Sequence, residues 1–404
     1  MKIAFYVANE NIGNVDFRKV DEGNPGVGGS EYSAILIASQ LCARGYIDCI
    51  MLCDKPGIFP SSLRWNACKD FIGAIKYSNQ NKIDFLVVDG KLLTKDIVCR
   101  FNKVKFVGWA NTFIKDDSKD FISRMNNVIK IVNVGKEELE QTKGHPIYNK
   151  SCYIFNAVPT SVLSHYPNLT PNNLRSRNVC YIGSLHAAKG FQYLAKAWPS
   201  IIKEIPGAQL YVIGSGKLYG RNAKLGKWGI ASFEFEREFI PFITEDGKIL
   251  NSVHFLGIMG NEKYDILEKC KVGVPNPSGV SETFGYTAVE MQFMDCQVTT
   301  IKCAGYIDTV CDKSNLYENT DQLASYVIRL LNNCYDKKAT MDYIKQFSIE
   351  NVIKEWEKLF LNIELDNLIV KDVITLEIIL NTFIYYYNRL RTYIKKLVKW
   401  MLKK

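Results

Sequence analysis

Residues 272–290 read VGVPNPSGVSETFGYTAVE and combine a buried strand, a loop and the start of a helix. The apolar run Val272–Pro275 predicts the strand, and the prolines and glycine that follow mark its end. Glu282 falls in the loop, a helix is predicted from Phe284, and Glu290 lies about two helical turns further on. A strand followed by a loop and a helix is the repeating unit of a parallel α/β sheet.

The same alternation extends in both directions from this unit. In the second half of the chain, the other predicted strands are Val179–Gly183, Gln209–Ile213, Ser252–Leu256 and Gln297–Ile301. In the first half they are Lys2–Ala8, Ile47–Cys53, Lys82–Asp89, Val104–Trp109, Val128–Val134 and Cys152–Val158, with a helix over Ser30–Arg44. The sequence therefore predicts the α/β class, with one parallel sheet in each half.

Domain boundaries follow from the composition. The stretch 159–173 is polar and rich in proline, which is typical of a linker. We predict a first domain over 1–160, a second over 175–346, a helix over 347–364 and a helical tail over 365–404. The interval 217–251 lacks a clear period and is expected to be a long loop or helical excursion beside the second domain's pocket.

Composition excludes several classes of protein. The chain has 404 residues, of which 47% are hydrophobic, so it needs no disulfides to stabilise a core. Its 12 cysteines never form Cys-x-x-Cys, its four histidines lack metal-ligand spacing and no Asp-x-Asp occurs. We therefore predict no metal site and a reducing cytoplasm. No run approaches the roughly 18 apolar residues of a membrane span.

The two carboxylates of 281–290 are the most specific candidates for binding. Carboxylates accept hydrogen bonds from hydroxyl groups, and free amides near Phe284 and Gly285 at a helix start can bind phosphate or sugar oxygens. Carboxylates for hydroxyl groups next to amides for phosphate are what a sugar attached to a nucleotide requires. The alternative is a surface helix that carries Glu282 and Glu290 without a shared function.

Glycine-rich loops contain the remaining candidate residues for binding a phosphate or another anion. Gly183 and Ser184 follow a strand, and Lys189 provides a point charge for a diphosphate, unless it is a solvated lysine. Gly28 and Gly29 precede a helix that can bind an anion. Gly214 follows the strand Gln209–Ile213. None of these loops completes Gly-x-Gly-x-x-Gly after a strand, so a nicotinamide-dependent dehydrogenase is disfavoured.

Taken in this order, the motifs resemble the retaining glycosyltransferases of the GT-B fold, family four (glycosyl transferases group 1), of the bacterial lipopolysaccharide and capsule type. Further markers are Phe155-Asn156-Ala157-Val158 and Val253-His254-Phe255-Leu256-Gly257. The resemblance covers about residues 1–360 and implies two Rossmann-like domains that face each other across a cleft. The helix at 347–364 would cross back to the first domain.

The resemblance also implies roles for the candidate residues. Glu282 would bind the donor sugar, Glu290 the nucleotide ribose and Lys189 the diphosphate. It implies a UDP- or GDP-sugar donor, a lipid-linked glycan acceptor on the first domain, cell-surface polysaccharide biosynthesis and no cofactor.

Departures from the family pattern leave an alternative open. Ser184 replaces an arginine, and Asn111 replaces a histidine near the donor sugar; asparagine can bind a hydroxyl but cannot shuttle a proton. Asp295 and Gln297 replace a glycine and a proline. A catalytically silent protein of the same fold, which binds a glycan or scaffolds a biosynthetic complex, is therefore the second hypothesis.

The net charge of +9 is concentrated at the end of the chain. Residues 389–404 contain seven basic and no acidic side chains, namely Arg389, Arg391, Lys395, Lys396, Lys399, Lys403 and Lys404. Apolar residues recur between them at helical spacing, which predicts a basic amphipathic helix. We expect 385–404 to bind an anionic membrane at the inner face of the cell, although a helix packed on the body is the alternative. No motif that recognises nucleic-acid bases accompanies these basic residues, so we do not expect nucleic acid as a partner.

Overall fold

A computed structural model describes residues 1–333, 337–369 and 376–401. It has two α/β domains and two long terminal helices. The predicted α/β class, with two Rossmann-like domains facing across a cleft, is confirmed.

A sheet of seven strands forms the first domain, whose backbone is described throughout. All its strands are parallel, in the order β3-β2-β1-β4-β5-β6-β7. They are β1 (Lys2–Val7), β2 (Asp48–Cys53), β3 (Trp65–Ala67), β4 (Phe85–Asp89), β5 (Phe106–Ala110), β6 (Val128–Asn133) and β7 (Ser151–Tyr153). Because helices cover both faces, the central strands are apolar along their length.

The helices of the first domain are α1 (Gly29–Arg44), α2 (Phe71–Gln80), α3 (Lys95–Arg100), α4 (Asp116–Arg124) and α5 (Lys136–Glu140). The first of them carries the glycine loop at its start. It is preceded by Gly28 as N-cap and ends at Gly45, whose φ of 71° is the left-handed conformation typical of a helix end.

The second domain has a parallel sheet in the order β12-β9-β8-β13-β14. Its strands are β8 (Asn178–Ile182), β9 (Gln209–Ile213), β12 (Val253–Gly257), β13 (Val272–Gly273) and β14 (Gln297–Val298). Four further strands lie outside this sheet, namely the hairpin β10 (Thr244–Glu245) and β11 (Lys248–Ile249), and the parallel pair β15 (Thr300–Ile301) and β16 (Leu316–Tyr317).

The helices of the second domain are α6 (Phe191–Glu204), α7 (Phe233–Phe239), α8 (Lys263–Leu267), α9 (Tyr286–Phe293), α10 (Ala304–Thr309), α11 (Leu323–Asn332) and α12 (Lys337–Ile344). One of them, α6, shows why such segments form helices. It buries Phe191, Leu194, Ala195, Trp198 and Ile201, which recur on one face at helical spacing.

The structure differs from the sequence-based expectation at several elements. The strand β3 was not predicted, because three residues are too few to show a period. The interval 217–251 contains α7 and the hairpin β10–β11. The run predicted as one strand over Gln297–Ile301 is interrupted at Thr299, and its two parts pair with different neighbours.

The helix α13 (Ile349–Ile369) returns to the first domain. Trp356 is fully buried there, with ring centroids 5.6 Å from Phe5 and 4.7 Å from Trp109. Arg44 of α1 forms an ion pair with Glu357 at 3.5 Å. The C-terminal segment therefore completes the core of the first domain.

The last helix is α14 (Leu376–Met401), which touches the first domain through Tyr385 and Arg389. The Tyr385 ring lies 4.4 Å from the ring of His145, and Arg389 lies 3.7 Å from Asp120. Lys403 and Lys404, which belong to the predicted basic segment, lie outside the described residues. Among the described helices, none is long and apolar enough to cross a membrane.

Candidate functional site

A cavity of about 340 Å³ lies between the two domains. This volume is within the range of small-molecule sites. The cavity opens where the order of the second sheet reverses, between β8 and β13, and ligands of open α/β sheets bind at such a point. All the predicted site residues line it, namely Gly28, Gly29, Asn111, Gly183, Ser184, Lys189, Gly214, Glu282, Phe284, Gly285 and Glu290.

Two loops approach each other closely at the second domain's side of the cavity. Gly214 has a φ of 136°, and a Cβ atom there would lie 1.8 Å from the carbonyl oxygen of Gly183. Only glycine therefore allows this approach. Lys189 lies in a 3-10 turn and is separated from the start of α6 by Gly190.

The Glu282 carboxylate is held by two side chains through one of its oxygens. Oε2 accepts hydrogen bonds from Lys189 Nζ at 3.0 Å and from Asn276 Nδ2 at 2.8 Å. Burial lowers the pKa of Lys189, but the charge and hydrogen bond of Glu282, together with the nearby Tyr219 and Cys303, outweigh it, so that the pKa of the lysine is raised and it stays cationic. Within the described part of the chain, Oε1 of Glu282 has no hydrogen-bond partner and is available to a ligand.

The Glu290 carboxylate is held in the same manner by residues that the sequence analysis did not identify. Oε1 accepts hydrogen bonds from Lys263 Nζ at 2.6 Å and from Tyr264 OH at 3.1 Å. The side chains of Lys263 and Glu290 are only 5% and 4% exposed. Oε2 has no protein partner among the described residues. No motif marks Lys263, and only its position in the short helix after β12 could have suggested it.

The charged side chains of the cavity wall are thus two Lys–Glu pairs, Lys189–Glu282 and Lys263–Glu290. Buried charges require such pairing, because an isolated ion loses its hydration. The wall is neutral in sum, yet each lysine retains unused donors and each carboxylate an unused oxygen. The arrangement can bind an anion and hydroxyl groups together.

The start of α9 brings the two domains into contact. Gly285 is its N-cap with a φ of 80°, and Phe284 is buried beside it. Tyr286 forms a hydrogen bond of 2.6 Å with Ser33 of α1, and its ring lies 3.1 Å from where a Cβ atom on Gly29 would stand. A side chain on Gly29 would therefore crowd this contact.

Three more contacts close the cavity from the sides. The backbone carbonyl of Asn111 accepts a hydrogen bond from Thr283 Oγ1 at 2.8 Å. Arg221, in the interval that lacked a clear period, donates to the carbonyl oxygen of Gly26 at 2.7 Å. Ser184 is buried, and its hydroxyl donates to the carbonyl oxygen of Ser215 at 3.5 Å. Through Arg221, the interval 217–251 thus reaches the edge of the cavity, where the sequence predicted it.

Among the described residues, no group of three or more His, Cys, Asp or Glu side chains is placed to hold a metal ion. His186 lies outside the cavity lining. Burial and the neighbouring Lys189 lower the pKa of His186.

Comparisons with known proteins agree with this fold. Residues 176–333 match the family model described as glycosyl transferases group 1. An uncharacterized glycosyltransferase from Haemophilus influenzae is 21% identical over 388 residues, which cover 88% of this chain and 99% of the relative.

Solved structures with the same fold extend over most of the chain. A glycosyltransferase from Rickettsia africae has a TM-score of 0.63 at 14% identity and covers 90% of this chain and 98% of its own. A structure described as trehalose-6-phosphate from E. coli bound with UDP-2-fluoro glucose has a TM-score of 0.59 at 9% identity, with 90% and 98% covered.

The fold is therefore that of the GT-B glycosyltransferases. More particularly, the match to the glycosyl transferases group 1 model falls within the second domain, at residues 176–333. Together the family match and the relatives support glycosyltransferase activity.

Proposed function

We propose that this protein is a retaining, metal-independent glycosyltransferase that moves a sugar from a UDP- or GDP-sugar to a lipid-linked glycan. The reaction belongs to the biosynthesis of a cell-surface polysaccharide such as O-antigen, capsule or exopolysaccharide. The observation that carries the proposal is the pair of glutamates in the cavity wall, each anchored by a lysine through one oxygen and open to a ligand through the other.

In this proposal the donor spans the cavity between the two Lys–Glu pairs. Glu290 accepts hydrogen bonds from the ribose hydroxyls, and Glu282 accepts them from the sugar. Lys189, the amides near Phe284 and Gly285, and the glycines at 28, 29, 183 and 214 surround the diphosphate, with Ser184 at the floor. The UDP-sugar in a structural neighbour supports a nucleotide sugar as the class of ligand.

The transfer uses the departing phosphate as the base. The bond between the anomeric carbon and the phosphate oxygen breaks, and the acceptor oxygen bonds to the same face of the sugar. The acceptor proton passes to the departing phosphate oxygen, whose charge Lys189 and the helix amides stabilise. Asn111 binds a hydroxyl beside the reacting carbon, where an amide group suffices because no proton needs to be shuttled.

Variants of the Lys189–Glu282 pair test this proposal. We expect Glu282→Gln and Lys189→Met each to abolish sugar transfer, because the donor loses a hydroxyl acceptor or its phosphate loses a stabilising charge. The measurement is release of nucleotide diphosphate with UDP- and GDP-sugars, after a screen for the nucleotide that raises the melting temperature.

Glu318→Gln is the matched control, because Glu318 forms an exposed ion pair with Lys302 at 2.6 Å. Near-normal transfer by both cavity variants would contradict the proposal. If no nucleotide diphosphate raises the melting temperature, the silent protein suggested by Ser184 and Asn111 becomes the better account.

We also propose that the tail attaches the protein to the cytoplasmic face of the membrane, where lipid-linked acceptors are held. The exposed side of α14 supports this. Phe383, Leu390 and Tyr393 are 70%, 60% and 68% exposed. Apolar and aromatic side chains beside Arg389 and Arg391 are typical of helices that lie in the interface of an anionic membrane.

A further inference from the structure

The segment 216–230, which follows β9, forms a loop whose two ends are joined. The amide of Gly216 donates to the carbonyl oxygen of Ile230 at 3.0 Å. The carboxylate of Glu236 is only 3% exposed and accepts hydrogen bonds from three backbone amides within 228–231, at distances from 2.9 to 3.2 Å. These bonds fix the base of the loop, so the positions of its side chains are set by the fold.

The loop extends across the cleft to the first domain. Leu218 and Tyr219 line the main cavity, and a Cβ atom on Gly28 would lie 3.5 Å from the Tyr219 ring. Arg221 then donates to the carbonyl oxygen of Gly26 at 2.7 Å. The residues that follow Arg221 in the loop do not line the cavity, so they lie outside it at the mouth of the cleft.

The charge of this loop is entirely positive. It contains four basic residues and no Asp or Glu, and we call it the basic loop. In the part of the chain that the structure describes, none of the four forms an ion pair. Exposed lysines elsewhere often do, as in the pairs Lys302–Glu318 and Lys354–Glu350. The basic residues of the loop are Lys217, Arg221, Lys224 and Lys227.

Four unpaired cations on one short loop repel one another, and an anion that binds among them relieves this repulsion. The cavity wall is neutral in sum, because each of its lysines is paired with a glutamate. In the proposed reaction the donor diphosphate is already held inside the cavity by Lys189. An anion at the mouth of the cleft therefore belongs to the other substrate, and lysine and arginine are the usual binders of phosphate.

We propose that the basic loop binds the phosphate or diphosphate group that joins the acceptor saccharide to its lipid. The inference rests on the proposed transferase function and adds a charge requirement for the acceptor, met by the second domain. Because Tyr219 lines the cavity and Arg221 is only two residues further, the bound phosphate lies close to the reacting sugar. The saccharide between the lipid and the reacting hydroxyl is therefore short.

Titration with a soluble prenyl diphosphate tests this assignment. The probe is farnesyl diphosphate, added to the full chain at saturating nucleotide diphosphate so that the proposed donor site is filled. Farnesol is the uncharged counterpart, and isothermal titration measures both. We expect farnesyl diphosphate to bind at least tenfold more tightly than farnesol, and its affinity to fall as salt is added.

The double variant Lys224→Gln/Lys227→Gln removes the two exposed cations of the basic loop. It should weaken farnesyl diphosphate about tenfold and flatten the salt dependence, with the affinity for the nucleotide unchanged. Lys82→Gln/Lys103→Gln is the matched control. Both of these lysines are exposed, and they precede β4 and β5 at the opposite edge of the first sheet from the cavity. The control should bind both ligands as the wild type does.

Several outcomes would overturn the assignment of the basic loop alone. They are equal binding of farnesol and farnesyl diphosphate, no binding of either while the nucleotide binds, and wild-type affinity in the Lys224/Lys227 variant. A loss of nucleotide affinity in that variant would assign the loop to the donor. Weaker binding to phosphatidylglycerol vesicles with unchanged binding of farnesyl diphosphate would assign it to the membrane surface.

The transferase function fails in a different way. If no nucleotide diphosphate binds, but farnesyl diphosphate binds and depends on Lys224 and Lys227, the transferase proposal is overturned and the basic loop remains a prenyl diphosphate site.

Discussion

Lys263 is a second basic residue in the cavity wall, and no motif in the sequence predicted it. The family resemblance points to a missing arginine at Ser184, which leaves Lys189 as the single basic residue of the predicted phosphate site. The structure places a second buried lysine in the same cavity, paired with Glu290. Lys263 therefore both fixes the carboxylate and adds a cation to the wall of the proposed donor site.

We expect Lys263→Met to raise the KM for the donor and the Kd of the nucleotide about tenfold or more, with a smaller effect on kcat. The variant leaves Glu290 buried without its cation, so the carboxylate loses its fixed orientation. Isothermal titration with the nucleotide measures the effect. Lys302→Met removes an exposed lysine from a pair of equal length and should change nothing. Wild-type affinity in the Lys263 variant would show that it has no part in the donor site.

Glu138 makes stability depend on pH. Burial raises the pKa of this carboxyl group from 4.5 to about 8, although Oε2 accepts a hydrogen bond from the Val134 amide. Because its pKa is higher in the folded than in the unfolded state, the folded state holds the extra proton between those values. The free energy of unfolding must then fall as the pH rises through this window.

The Glu138 contribution amounts to about 2 kcal/mol between pH 6 and pH 8. We expect Glu138→Gln to remove that part of the pH dependence, because an amide keeps the acceptor for Val134 and does not titrate. Chemical unfolding at the two pH values gives the difference. An equally steep decline in the variant would assign the pH dependence to other groups.

Among the elements, the start of α9 depends most on one residue. Gly285 has a positive φ, and a Cβ atom there would lie 2.6 Å from the Tyr306 ring. The chain can therefore turn from the Glu282 loop into the helix only with glycine at this position. The same turn connects Glu282, which contacts Lys189, to Tyr286, which contacts Ser33.

We expect Gly285→Ala to destabilise the protein by about 2–4 kcal/mol, since strain and overpacking add. Gly207→Ala is the control, because Gly207 has a φ of 87° but nothing lies within 4 Å of its added Cβ. It should cost only about 1 kcal/mol. Urea unfolding compares the two variants, and equal losses would mean that the Tyr306 ring moves aside at no cost.

At the scale of the whole molecule, the last two helices differ in their relation to the body. The helix α13 buries Trp356 in the core of the first domain, whereas α14 touches that domain at Tyr385 and Arg389 and exposes apolar side chains beyond. The first is part of the fold, and the second extends from it. The proposed attachment of the tail to a membrane therefore does not require a domain to unfold.

Removal of residues 385–404 should lower binding to phosphatidylglycerol-containing vesicles and leave transfer to a soluble acceptor largely intact. Each basic residue contributes roughly 1 kcal/mol beside anionic lipid, so the effect should weaken with salt. Vesicle co-sedimentation measures it, with neutral phosphatidylcholine vesicles as control. Unchanged binding, or none in the full chain, would make α14 a structural helix.

The α/β class, the position of most strands and the loops that line the cavity could all be predicted from the amino-acid sequence. These features are local: a strand shows as an apolar run, a helix as a 3.6-residue period, and the turns as glycines and prolines. Glu282, Lys189, Gly183 and Gly214 were identified because they lie in loops that follow a strand, and the carboxyl ends of parallel strands meet at one edge of a sheet. Gly28 and Gly29 were identified because they precede a helix.

The contacts of these residues depend on the packing of the folded chain and could not be predicted. Asn276 and Lys189 meet at one oxygen of Glu282, and Lys263 comes to Glu290 from an element 27 positions earlier. Trp356 reaches the core of a domain whose strands end some 200 residues before it. Such contacts depend on how two domains and a returning helix pack, and side-chain periodicity carries no information about partners so distant in the chain.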